Sequence, residues 1–139
     1  MRYLQLTVMV AGRVAAGISG RARACCPDIG HTPSASTGLG ARQPDAANLS
    51  AVATLHVYAF TRDGIRYLQI NDATGDVRTA IGWIDGTRWV MPIGSDADRT
   101  TILPAGSRAD GTTVYNGDGI TVLLQTLPQG RTWLVVPKQ

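Results

Sequence analysis

The chain has 139 residues, a formal charge of +3 and two cysteines, which leaves room for one hydrophobic core and sets aside a fold stapled by several disulfides. The charge is unevenly placed: residues 1–54 carry five arginines against two aspartates, whereas 55–139 carry eight basic and eight acidic side chains. A nucleic-acid-binding domain gathers Lys and Arg on one face to release counterions from phosphate, and scattered arginines among as many aspartates argue against it. All ten acidic residues are Asp, and there are 16 Gly and 7 Pro, a composition that favours turns over helix interiors. One Lys among 13 basic residues points to a GC-rich bacterial source.

In chain order, Met1 and Arg2 precede the mostly apolar run Tyr3-Leu4-Gln5-Leu6-Thr7-Val8-Met9-Val10-Ala11-Gly12, too short to span a bilayer as a helix. With the small residues of Ala22-Arg23-Ala24 downstream, residues 1–24 read as a signal peptide and the protein as secreted or periplasmic. Cys25 and Cys26 follow; neighbours across a trans peptide are too close for an ordinary disulfide, so they do not staple the fold. The pair is compatible with crosslinking between chains, with lipidation or with free thiols. Residues 25–53 are rich in Ala, Ser, Gly, Thr and Pro with few large apolar side chains and read as a flexible linker, leaving residues 54–139 as the folded domain.

That domain is organised around a turn ending in Gly with an aromatic three positions later: Asp63-Gly64-Ile65-Arg66-Tyr67, Asp85-Gly86-Thr87-Arg88-Trp89 and Gln129-Gly130-Arg131-Thr132-Trp133. Flanked by alternating apolar runs, these are β-hairpin signals. Strands are expected over 54–61, 65–71, 77–84, 87–93, 100–103, 112–116, 120–127 and 131–136. The fold class is therefore all-β, a small barrel or sandwich of about eight strands built from antiparallel hairpins, preceded by a disordered N-terminal segment. No helix is long enough for a parallel crossover. Taking Asp85-Gly86 as a two-residue loop pairs Ile84 with Thr87 and Gly82 with Trp89, so that glycine gives the indole room.

Little in this domain suggests catalysis. His56 is its one histidine, no strained Gly-x-Ser-x-Gly turn frames Ser95 or Ser107, and the aspartates sit in turns. The acidic loops at 71–76 and 96–98 lack the spacing of a calcium loop closed by a bidentate Glu. No catalytic residue, metal ligand or cofactor is nominated. The first strand is apolar on both faces, with Leu55, Val57 and Ala59 on one side and His56, Tyr58 and Phe60 on the other. The aliphatic side is expected in the core. His56, Tyr58 and Phe60 are the nominated binding residues, with His56 and Tyr58 at least partly exposed. The function expected is a non-catalytic exported domain that binds a protein or cell-envelope partner; a small periplasmic inhibitor of another enzyme and a small hydrolase are the alternatives.

Overall fold

The computed structural model describes residues 35–139. The expected signal peptide, the cysteine pair and the first part of the linker, through residue 34, lie outside the described residues. The described chain is all-β, with eight strands: β1 (Leu55–Arg62), β2 (Ile65–Asp72), β3 (Val77–Ile84), β4 (Thr87–Val90), β5 (Thr100–Ile102), β6 (Thr112–Gly117), β7 (Ile120–Leu127) and β8 (Gly130–Pro137). One 3₁₀ turn, Ala97–Arg99, precedes β5.

The hairpins form where Asp-Gly pairs permit them. Asp63 and Gly64 have φ of 52° and 77°, and Asp118 and Gly119 have 48° and 74°; two consecutive positive φ angles are those of a type I′ turn, whose twist matches that of the strands it joins. The longer β2–β3 turn is held by one carboxylate. Oδ1 of Asp72 accepts hydrogen bonds from the Thr74 and Asp76 amides and from the Thr74 hydroxyl.

The strands form a sandwich of two four-stranded sheets, ordered β1-β2-β3-β4 and β5-β8-β7-β6. The first is a plain meander. In the second, β6, β7 and β8 are antiparallel neighbours, but β5 lies parallel to β8, pairing Thr100 with Trp133 and Ile102 with Val135. This corrects the expectation that a parallel pair requires a crossover helix: the β6–β7 hairpin itself fills the connection between the two parallel neighbours. The loop from β5 to β6 is anchored along the second sheet, where Leu103 and Gly106 donate to the carbonyls of Val135 and Pro137 and Gln125 donates to that of Asp110.

Leu55, Val57 and Ala59 of β1, Leu68 and Ile70 of β2, and Ile81 and Trp83 of β3 meet Val114, Ile120, Val122, Trp133 and Val135 of the second sheet in one core. Among the described residues no helix is long and apolar enough to cross a membrane.

Both open sides of the sandwich are laced. On one, Leu49 donates to the carbonyl of Val57 in β1 and Ala51 to that of Val114 in β6, both at 2.8 Å, while Leu49 and Val52 pack against the core. On the other, Arg78 of β3 donates to both carboxylate oxygens of Asp96 at 3.0 and 3.1 Å, and the indole N–H of Trp133 donates to the same carboxylate at 3.0 Å. The hydroxyls of Thr79 and Thr100 meet beside it at 2.6 Å. Asp96 is buried, and its three donors offset the cost of taking a polar group out of water.

Residues 35–53 thus differ from the free linker expected of them. Their composition offers little to bury, but backbone and side-chain hydrogen bonds hold them to β1, β2 and β6. They also blunt the outer edge of β1, which would otherwise be an open template for strand pairing. Ala35 donates to Ala59 and accepts from Thr61, and the side chain of Asn48 accepts from the amide of Val57.

Candidate functional site

Alternation along the strands sends one set of side chains of the first sheet into the core and the other to its outer face. The strand register aligns the outer set in rows across the sheet. Phe60, Tyr67, Gly82 and Trp89 form one row; Tyr58, Gln69 and Ala80 form the next; His56 and Asn71 form a third.

Half of this face is roofed by the chain itself. Gln69 and Asn71, amides on an exterior strand face, are 0% exposed. The carbonyl oxygen of Gln69 accepts from the amide of Gly40 and its nitrogen donates to the carbonyl of Ala41; Asn71 donates to the carbonyls of Ala41 and Arg42. Gln69 also donates to the side-chain oxygen of Asn71 at 2.8 Å. The segment from Ala35 to Pro44 is therefore a strap, clamped to β2 by two side-chain amides. Buried amides of this kind are costly unless paired, and here the strap backbone supplies the partners.

The uncovered half is aromatic. Between the strap and the β1–β2 hairpin lies a cleft of about 540 Å³, lined by Ser36, Thr37, Gly38, Leu39, Phe60, Arg62 and Tyr67. Beyond Tyr67, the row continues over Gly82 to the half-buried Trp89. A Cβ placed on Gly82 would fall 2.7 Å from both Cε2 and Cζ2 of Trp89 and 2.9 Å from Nε1. Three bonded ring atoms at nearly equal range mean that the indole lies with its face, not its edge, on the glycine. Its N–H is tied to Sδ of Met91 at 3.1 Å, so the indole offers the outside its other face.

Of the three residues nominated by sequence, Phe60 lines the cleft and is 2% exposed. Tyr58 is 7% exposed, which corrects the expectation that it is partly free: the strap crosses its row at Gln69. His56 is half-buried and stands edge-on to Tyr58, with ring centroids 6.2 Å apart. The first strand therefore lies between two layers. Tyr67 and Trp89 are not among the residues nominated from the sequence, although the repeated Gly-x-x-aromatic pattern marks both.

The remaining polar clusters are engaged in holding the fold. Asp118, at the β6–β7 turn, accepts from the Tyr115 hydroxyl at 3.0 Å and lies 3.5 Å from the Arg66 guanidinium of the opposite sheet. In the 71–76 turn the Thr74 hydroxyl above all, then the Asp76 and Thr74 amides and the charge of Arg78, hold the Asp72 carboxyl below its ordinary 3.8 against the opposing effect of burial. Ser107 donates to the Pro104 carbonyl in the loop along the second sheet, away from His56 on the outer face of the first. Among the described residues no three His, Cys, Asp or Glu side chains are grouped as a metal site. A second cavity, of about 380 Å³, lies between that loop and β7 and is lined by Ser107, Arg108, Asp110, Thr121 and Leu123, among others.

No protein-family model matches this chain, and no curated protein or solved structure matches it with significance.

Proposed function

We propose that this chain is an exported bacterial binding domain, non-catalytic, whose contact surface for a cell-envelope component is the uncovered half of the outer face of the first sheet. The observation that carries this reading is the row Tyr67–Gly82–Trp89. Two half-buried aromatics lie outside the core, and a glycine is kept at the one position where any side chain would displace the indole. Packing alone does not call for that arrangement, because Trp89 is not among the core residues. Partly exposed aromatics on a rigid sheet supply large contact area at low entropic cost, which is what recognition surfaces use. The aspartates that acid–base chemistry would draw on at Asp72, Asp96 and Asp118 are engaged in turns and ion pairs, which favours binding over turnover.

Retention of the protein on fractionated bacterial envelope, glycan separated from protein, tests the reading. Tyr67→Ala and Trp89→Ala should each lower retention while circular dichroism and melting remain those of a folded domain. Undiminished retention of both variants, or turnover of generic ester, glycoside or peptide substrates by the purified protein, would overturn it.

A further inference from the structure

The strap cleft carries its own ligand chemistry. Its floor is apolar, from Phe60 and the ring of Tyr67, and its volume of about 540 Å³ falls within the usual range of small-molecule sites. Ser36, Thr37 and Tyr67 also line the cleft, and their hydroxyls have no hydrogen-bond partner among the described residues. Among the described residues the single charged group lining the cleft is Arg62. Its only ion pair among them is a loose one with the neighbouring Asp63, at 3.6 Å with both side chains largely exposed, so the guanidinium is available to a ligand.

We propose that this cleft binds a sugar acid, a pyranose ring bearing a carboxylate, as in a hexuronic acid residue of an envelope polysaccharide. This assignment rests on the binding reading above and names its ligand class. A pyranose presents apolar C–H faces to an aromatic floor and vicinal hydroxyls to its rim, and a Ser, Thr or Tyr hydroxyl can both donate to and accept from such groups. A carboxylate matches the planar fork of Arg62. Charge complementarity selects a singly charged unit: one guanidinium answers one carboxylate, whereas a polyphosphate ligand needs a cluster of cations. An aromatic carboxylate would use the floor and the guanidinium but offers the three hydroxyls nothing beyond its own two carboxylate oxygens. A proline-rich peptide asks the indole N–H for a donor to its carbonyls, and that of Trp89 is already given to Met91. Tyr67 on β2 and Trp89 on β4 are two strands apart, about 9.5 Å at the usual strand spacing, so the face of Trp89 meets a further ring of an extended oligomer.

Titration of the full chain with trigalacturonate, followed by calorimetry, tests this, with cellotriose as the uncharged control. Trigalacturonate should bind at least about tenfold more tightly than cellotriose, and Arg62→Gln should remove most of that difference, as loss of a charge-assisted hydrogen bond does. Added salt should weaken binding to the acid and leave the neutral sugar unaffected. Equal affinity for the two sugars, or an Arg62→Gln variant that binds trigalacturonate as the parent does, would overturn the assignment. Absence of trigalacturonate binding alongside Tyr67-dependent retention on another envelope component would overturn the sugar-acid assignment alone. Absence of any Tyr67-dependent ligand would overturn both readings.

Discussion

Adding one methyl group at Gly82 is the sharpest perturbation the sheet geometry offers. The new Cβ would sit 2.7 Å from two carbons of the Trp89 indole, where real Cβ contacts essentially never fall under 3.0 Å and ordinary contact lies between 3.4 and 4 Å. The ring must lift off the strand, giving up its contact with the glycine and its hydrogen bond to Met91. Overpacking of this kind costs about 1–3 kcal/mol. Gly82 does not have the left-handed φ that would strain alanine, so the stiffer unfolded chain returns about 0.4–1 kcal/mol. The net for Gly82→Ala is a loss of about 1–2 kcal/mol, or roughly 5–10 °C in Tm for a domain of this size, and Gly82→Val should lose more. Urea denaturation measures it, and a double-mutant cycle locates its cause. In a Trp89→Ala background the clash is gone, and Gly82→Ala should become neutral or stabilising. Destabilisation of the same size in both backgrounds would refute the reasoning, because the cost would then not come from the indole.

Asp96→Asn should destabilise by about 1–3 kcal/mol in the same assay, since it takes the nearer counter-charge from the three-quarters-buried Arg78 guanidinium and leaves it only Asp72, at 3.8 Å. The neighbouring exposed Asp98→Asn serves as a control with little expected change. Gln69→Ala removes both the acceptor for the Gly40 amide and a donor to Ala41, so hydrogen exchange at Gly40 should accelerate while amides of β7 and β8 keep their protection; unchanged exchange at Gly40 would show that the strap is held by other means. Asp72 is held below its ordinary value of 3.8, so its charged form favours the folded state. Its contribution is present above about pH 4 and lost as pH falls through the folded value. Asp72→Asn should therefore be less stable than the parent at pH 7 and lose less stability between about pH 4 and pH 2, as parallel urea titrations would record.

The hairpins were legible because their determinants are local. Asp-Gly turns and period-two alternation placed every strand to within a few residues, and the two-residue loop at Asp85-Gly86 was enough to pair Gly82 with Trp89. Strand β4 stops at Val90, short of the expected end at residue 93. Met91 still donates to Ala80, and pairing with β3 resumes only when Ser95 and Asp96 reach Val77 and Arg78. The parallel seat of β5 was illegible, since it depends on where distant strands leave an open edge.

The strap escaped for a different reason. Apolar content is a poor measure of what can be ordered here, because residues 35–44 are held chiefly through backbone groups bonded to Gln69 and Asn71. The one trace of this in the sequence was two amides alternating with Tyr67 on a strand face otherwise aromatic. Tyr58 is buried for the same reason: the cover over its row comes from the strap bonded to Gln69, not from any apolar signal in β1. Only Phe60 of the nominated stripe reached the cleft; Tyr67 and Trp89, first noted as turn markers, completed the face.

The most direct test of a binding face between the strap and Trp89 is a map of backbone and indole resonances of the labelled protein during trigalacturonate titration. Saturable shifts should cluster at Thr37, Leu39, Arg62 and Tyr67 and at the Trp89 indole, leaving the buried indoles of Trp83 and Trp133 in place. Shifts gathered instead around Ser107, Asp110 and Leu123 on the second sheet, or none that saturate, would contradict the account.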